Sequence, residues 1–371
     1  MSLLYRKILR PAVFLQDSEK AHSRFLSLLS MVSKSRFLSS IFGNLYGSPE
    51  LPVRLFGIDF PNPLGIAAGM DKNGDAVPAW QSIGFGFSEI GGVTLHDQIG
   101  NPRPRMFRAT AERALVNRMG FNNIGAELVY DKLSYWKEKS LWPGAPIGIN
   151  LGKSKITALK DAPRDYSGSI KILWDHADFF VINVSSPNTE GLRDLQQPQY
   201  LDSIFKECQK VNQECSEFRG KDLKPLMIKI APELDENQLQ SIIELVPKNN
   251  IQGLIATNTT THRPETTDKN SKSIYNQNGG LSGLPLRDRS TEMIRKIYKM
   301  TDGKVPIVGV GGVFTANDAW DKITAGASLI QLYTGLVFQG PGIARNIVTG
   351  LAKKVRYSGF KNISEAVGIN S

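Results

Sequence analysis

Residues 305–312 read VPIVGVGG, an apolar, β-branched run that breaks into a glycine-rich turn. A run that is apolar at nearly every position fits a strand covered on both faces, as strands are in a parallel sheet. Seven more runs of this make-up lie along the chain: 63–68 (PLGIAA), 87–94 (FSEIGGVT), 145–151 (APIGINL), 178–184 (DFFVINV), 225–231 (PLMIKIA), 252–258 (QGLIATN) and 328–334 (SLIQLYT). Helical patterns separate them, among them 234–247, 286–300, 315–325 and 342–356. Eight β/α units predict a closed (β/α)8 TIM barrel of about 300 residues. An open doubly wound sheet carries its phosphate-binding glycines after the first strand, whereas here they follow the seventh.

The 371 residues are 41% hydrophobic and 22% charged, which excludes collagen-like, coiled-coil and wholly disordered chains. No run approaches the 18 or more apolar residues of a spanning helix. Cys208 and Cys215 are the two cysteines, and on a helix they stand about 10 Å apart, beyond disulfide reach. A reducing or thiol-neutral compartment is expected. His22, His96, His176 and His262 lack metal-site spacing, so no metal is expected.

Net charge is +10, and half of the excess falls in residues 1–48, where seven Lys/Arg face Asp17 and Glu19. After Asp17, a candidate N-cap, Ala21, Phe25, Leu28, Leu29 and Val32 recur at helical spacing. After Ser35, Phe37, Leu38, Ile41, Phe42 and Leu45 do the same. Two amphipathic helices are predicted, either lying on a membrane surface or capping the barrel. The linker GSPELP (47–52) separates this segment, 1–48, from a barrel unit, 49–371. Two insertions, 95–121 and 259–284, exceed ordinary loop lengths, so they are expected to be functional or disordered.

A barrel of this kind places its active site at the C-terminal ends of its strands, and polar residues collect there. Strand one runs into Ala68, Gly69 and Lys72, strand three ends in Asn150, strand four in INVSSPNT (182–189), and strand six in Thr257, Asn258 and Thr259. Lys229 sits inside the apolar run of strand five, where an unpaired ammonium is costly, so it requires an anionic partner. Gly311–Gly312 and Tyr333–Thr334 end strands seven and eight, where many barrels bind phosphate. Asn117, Asn183, Asn188 and Asn258 would converge with Lys72 on one cavity. Amides offer both donors and acceptors, so together they suit a small planar ligand edged with carbonyls and ring NH groups, with Lys72 on its carboxylate. Ser186 is followed by Pro187 with no histidine near it in sequence, so a hydrolase mechanism lacks its usual base.

These residues belong to blocks that resemble the membrane-associated, quinone-dependent dihydroorotate dehydrogenases over nearly the whole chain: NPLGIAAGMDKNG (62–74), NPRPRMFR (101–108), NRMGFNN (117–123), INVSSPNTEGLR (182–193), KIAPEL (229–234), ATNTT (256–260), GGLSGLPLR (279–287), VGVGG (308–312) and GASLIQLYTG (326–335). Quinone-independent relatives place cysteine where this chain has Ser186 and lack the N-terminal helix pair. The resemblance implies FMN in the barrel mouth, oxidation of dihydroorotate to orotate in pyrimidine biosynthesis, and a ubiquinone-type acceptor. It implies Ser186 as base at C5, with Thr189 and Phe121 shaping its water path, while C6 gives hydride to FMN. Asn117, Phe121, Asn183, Asn188, Asn258 and Thr259 would hold the orotate ring, with Lys72 on its carboxylate. Ala68, Gly69, Lys72, Asn150, Asn183, Lys229, Thr257, Gly283, Gly312, Tyr333 and Thr334 would bind FMN.

The resemblance further implies a quinone tunnel under the helix pair, lined by His22 and Arg108 with Tyr333 at its flavin end, and attachment to an anionic membrane surface. The location implied is the mitochondrial inner membrane, peripherally, or the cytoplasmic membrane of a bacterium. Residues 1–16, basic and without acids, are similar to an import-signal remnant. One departure is Gly92, where the family usually carries Ser or Thr near the flavin. Two other readings stay open: a flavin barrel acting on a different heterocycle, and a basic nucleic-acid-binding protein. The second predicts aromatics interleaved with clustered Lys/Arg, a platform absent from the barrel sequence, so no nucleic-acid partner is expected.

Overall fold

All eight apolar runs become strands of one closed parallel barrel: β1 (Leu64–Ile66), β2 (Phe87–Val93), β3 (Ile147–Leu151), β4 (Phe179–Asn183), β5 (Leu226–Ile230), β6 (Gly253–Ala256), β7 (Ile307–Val310) and β8 (Leu329–Leu332). The computed structural model describes residues 4–371; residues 1–3 of the expected N-terminal unit lie outside them. Strands neighbour one another in chain order, and β8 closes on β1 through Ile330 opposite Leu64. Each strand is buried along its length, which is why the sequence shows continuous apolar runs rather than alternation.

The barrel floor is aromatic. Phe60, from a hairpin of strands Val53–Leu55 and Ile58–Phe60, meets Phe87 edge-on at 5.3 Å, and Phe87 meets Phe179 at 6.3 Å. Gly148 makes room: a Cβ there would lie 2.0 Å from the Phe179 ring. Outer helices Glu236–Lys248, Arg287–Met300, Ala316–Thr324 and Ile343–Tyr357 match the predicted spans to within two residues. Asp235 with Gln238, and Thr315 with Asp318, form capping boxes at two of their starts.

The two long insertions are neither disordered nor irregular throughout. Strands Met106–Ala109, Ala114–Asn117 and Gly280–Gly283, drawn from both, form a three-stranded antiparallel sheet. Each strand is four residues long, too short to show a period in sequence, and its partner lies more than 160 residues away in one pairing. Asn117 and Gly283 are thereby carried to the barrel mouth.

Ahead of the barrel lie α1 (Arg10–Phe14), α2 (Ser18–Ser33) and α3 (Arg36–Tyr46). Asp17 and Ser35 cap α2 and α3 by accepting from the backbone N–H of Lys20 and Leu38. The stretch before Asp17, read only as a basic leader, packs on the barrel: the Tyr5 hydroxyl donates to the Val337 carbonyl and Phe14 meets Phe338 edge-on. Helix α2 buries Leu29, Val32 and Ser33, and the Ser33 hydroxyl accepts from the Ala79 N–H. No residue of α3 is fully buried, and Phe37 stands 73% exposed. Among the described residues, no helix is long and apolar enough to cross a membrane.

Candidate active site at the barrel mouth

One cavity at the C-terminal ends of the strands gathers most of the residues singled out in sequence. Ala68, Gly69 and Lys72 line it after β1, Asn183, Ser186 and Asn188 at β4, and Lys229 on β5. Thr257, Asn258 and Thr259 follow at β6, Gly312 at β7, and Tyr333 and Thr334 at β8, while Asn117, Phe121 and Gly283 enter from the insertions. Of the four asparagines expected to converge with Lys72, all four do so. Asn150 and Thr189 are not among the residues that line it: Asn150 is fully buried, and the Thr189 hydroxyl oxygen is buried with no partner among the described residues.

The amides are tied together. Asn188 Nδ2 donates to Asn117 Oδ1 at 3.1 Å, Asn258 Nδ2 to Asn183 Oδ1 at 3.2 Å, and Asn183 Nδ2 to Asn150 Oδ1 at 2.9 Å. Asn150 Nδ2 in turn donates to Glu89 Oε1 at 2.7 Å. Ser186 is 7% exposed, and its Oγ accepts from the Asn188 backbone N–H at 3.3 Å. The Asn188 Oδ1 is buried without a partner among the described residues, an acceptor held available for a ligand.

Lys229 has the anionic partner that its burial requires: Glu89, fully buried on β2, with Nζ 3.8 Å from Oε1. Sequence reading passed over Glu89, although an acid inside FSEIGGVT carries the same signal that marked Lys229. Lys72 donates to Asn122 Oδ1 at 2.7 Å, and burial, reinforced by the Arg105 charge, pulls its ammonium down to about 7. Gly92 has a local reason in this chain: a Cβ there would stand 2.7 Å from the Phe121 ring. Phe121 itself adopts φ +51°, a conformation that non-glycine residues rarely take.

A second cavity lies between α2 and the barrel, lined by His22, Leu26, Met31, Asn73 and Met119, and Lys72 stands on the walls of both cavities. The His22 ring lies parallel to Tyr333, centroids 6.4 Å apart, and burial pushes the imidazole down to about 4, so it is neutral at physiological pH. Arg108 lines neither cavity. Its guanidinium donates to the carbonyls of Phe14 and Gln16 and covers the Phe14 ring at 4.5 Å, fastening the N-terminal segment. Glu19 is a second fastening that sequence reading missed, bonded to Arg105 at 2.7 Å and Arg103 at 3.0 Å. Burial pushes its carboxyl up, but those two guanidiniums outweigh it and hold it below the ordinary range.

Fold and rim together define a (β/α)8 barrel whose mouth gathers amide, hydroxyl and ammonium groups in one cavity. The profile of the dihydroorotate dehydrogenase family matches residues 50–355, and the chain belongs to that family. A protein of Gloeobacter violaceus named dihydroorotate dehydrogenase (quinone) is 47% identical over 98% of both chains. One of Rippkaea orientalis with the same name is 51% identical over 86% of this chain and 84% of its own. Among solved structures, DHODH from Eimeria tenella in complex with ferulenol is similar at TM-score 0.86 and 34% identity, covering 97% of this chain and 98% of that one.

Proposed function

We propose that the protein oxidises dihydroorotate to orotate at the barrel mouth, in pyrimidine biosynthesis, with FMN as cofactor and a ubiquinone-type molecule as acceptor. The observation that carries this reading is the convergence of Asn117, Asn183, Asn188, Asn258, Lys72 and Ser186 on one cavity. FMN fits the residues present. Backbone at Gly311, Gly312 and Thr334 lines the end of the cavity expected for phosphate, Val310 and Leu332 supply apolar wall, and Lys229 adds a buried cation. The chemistry FMN supplies when bound is acceptance of hydride from C6 and return of the electrons to quinone.

In this reading the four asparagines and Thr259 orient the ring, and the Lys72 ammonium holds the substrate carboxylate. Ser186 Oγ removes the proton from C5, so that proton and hydride leave and the C5=C6 bond forms. A serine hydroxyl is a weak base at neutral pH and needs a proton outlet in a site closed to bulk water. The unpaired Thr189 Oγ1 supports such an outlet, with Phe121 as its wall. Lys229 opposes negative charge that accumulates at the cofactor on reduction.

Residues 1–48 form the unit that delivers quinone, and 49–371 the catalytic barrel. The α2 cavity, its His22 side stacked on Tyr333, supports a path from the helix pair to the flavin end. Leu28, Met31, Phe37, Ile41 and Leu45, all exposed, suit peripheral attachment to an anionic membrane surface. The bacterial relatives favour a cytoplasmic membrane over the mitochondrial inner membrane. Ser186→Ala tests the base: flavin reduction by dihydroorotate is expected to slow at least about 100-fold in anaerobic stopped-flow, with orotate still bound. Reduction at the wild-type rate near pH 7 would remove Ser186 from the mechanism.

A further inference from the structure

Glu89 lines neither of the two cavities, yet it stands at the head of the hydrogen bonds that reach the ligand-facing amides. Its side chain is fully buried on β2. Oε1 accepts from Asn150 Nδ2 and lies 3.8 Å from Lys229 Nζ, and Oε2 accepts from Gln331 Nε2 at 2.5 Å. A carboxylate paired with an ammonium accepts only, so both amides must turn their NH2 groups toward it.

That single constraint runs outward. With Asn150 Nδ2 committed to Glu89, Asn150 Oδ1 is left to accept from Asn183 Nδ2. Asn183 Oδ1 is then the acceptor for Asn258 Nδ2, and Asn258 Oδ1 accepts from the Thr259 N–H at 2.7 Å. The Ser185 hydroxyl also donates to Asn183 Oδ1 while accepting from Asn258 Nδ2, closing the same arrangement from the side. Asn150 could otherwise sit in two orientations that differ by exchanging its donor and acceptor, whereas the Ser185 N–H at 3.3 Å and the Thr259 N–H each meet an amide oxygen and hold Asn183 and Asn258 in the same sense from the backbone. Asn183 keeps one N–H for a ligand, while Asn258 Oδ1 also accepts from the Thr259 hydroxyl at 3.4 Å, a long bond that a ligand donor can replace.

We propose that Glu89 is a positioning residue that orients Asn150 and through it, together with the Ser185 N–H, holds Asn183 with one N–H aimed at the cavity, and so supports the donor and acceptor pattern offered to the bound ring. The inference rests on the orotate reading of the cavity. Glu89 does this without contact with the ligand, from the far side of a wall made by β2, β3 and β4. Replacing it by glutamine puts NH2 against NH2 at Asn150 or Gln331, and an inverted Asn150 sets its own NH2 against Asn183 Nδ2, displacing the amide that the Ser185 N–H holds.

The test is orotate binding to the flavin-loaded protein by calorimetry in three variants. Glu89→Gln is expected to weaken orotate at least tenfold while FMN content is retained. Asn150→Ala, which cuts the relay without disturbing a charge, is expected to weaken it similarly, and it decides the matter if Glu89→Gln does not fold. Gln331→Met, which touches the same carboxylate outside the relay, is expected to stay within twofold. Adding Glu89→Gln to Asn150→Ala is expected to cost little more than either alone. Unchanged orotate affinity in both Glu89→Gln and Asn150→Ala, or a Gln331→Met loss as large as theirs, would overturn the proposal. Failure of the wild-type protein to bind orotate would instead overturn the reading of the cavity.

Discussion

The barrel mouth and the N-terminal helices are held in opposite ways. At the mouth, polar side chains bond to one another in a continuous set rooted on stiff strands, from Glu89 through Asn150 and Asn183 to Asn258. The helices are fastened at separate points: Glu19 to Arg103 and Arg105, the Phe14 and Gln16 carbonyls to Arg108, and the Ser33 hydroxyl to the Ala79 N–H. The outer sides of α2 and α3 stay apolar and exposed at Leu28, Phe37, Ile41 and Leu45. A preorganised network suits chemistry that demands fixed geometry, whereas a few strong fastenings under an apolar outer face suit a unit that meets a membrane and a lipid-soluble acceptor.

The sharpest way to separate the two regions is to cut the strongest fastening. Glu19→Ala leaves Arg105, itself buried, without its carboxylate, a change expected to cost about 3 kcal/mol of stability. Turnover with a long-tailed quinone is expected to fall about tenfold, one decade for 1.4 kcal/mol. Flavin reduction by dihydroorotate should stay near the wild-type rate in the same preparation. Equal loss in both half-reactions, measured separately by stopped-flow, would show that mouth and helices act as one unit.

A pH series probes Lys72, the charged residue on both cavity walls. Lys72 is held down to about 7 by burial, so it is charged below that pH and loses its proton as pH rises through it. A carboxylate ligand that needs the ammonium should therefore bind about tenfold more weakly per pH unit above 7. Orotate titrations from pH 6 to 9 check this, and Lys72→Met should flatten the dependence. The smallest expected effect is at the outer face. Phe37→Asp should lower co-sedimentation with anionic vesicles about threefold and leave orotate binding unchanged; loss of orotate binding would break the separation of the two regions.

The same contrast explains what the sequence discloses. The eight strands were legible because burial on both faces leaves an unbroken apolar signature, and the rim residues because barrel topology says where strand ends meet. Asp17 and Ser35 were legible as caps because capping is local. The three-stranded sheet over the mouth was not, because its strands are four residues long and Gly280 pairs with Asn117 across the whole insertion pattern. Glu19 with Arg105, and Phe14 with Phe338, are long-range pairs with no local signal. Glu89 was missed for a different reason: its environment was readable by the argument applied to Lys229, but the relay it heads exists only once β2, β3 and β4 lie side by side. Arg108 shows a contact that its block did not announce. Its block marked it for the tunnel, while its guanidinium is engaged with the carbonyls of Phe14 and Gln16.

The most direct measurement is the visible spectrum of the purified protein, taken anaerobically before and after dihydroorotate and again after a ubiquinone analogue. The account predicts a flavin band that bleaches with dihydroorotate and returns with quinone. A colourless protein that FMN cannot reconstitute, or a flavin band indifferent to dihydroorotate, would contradict it.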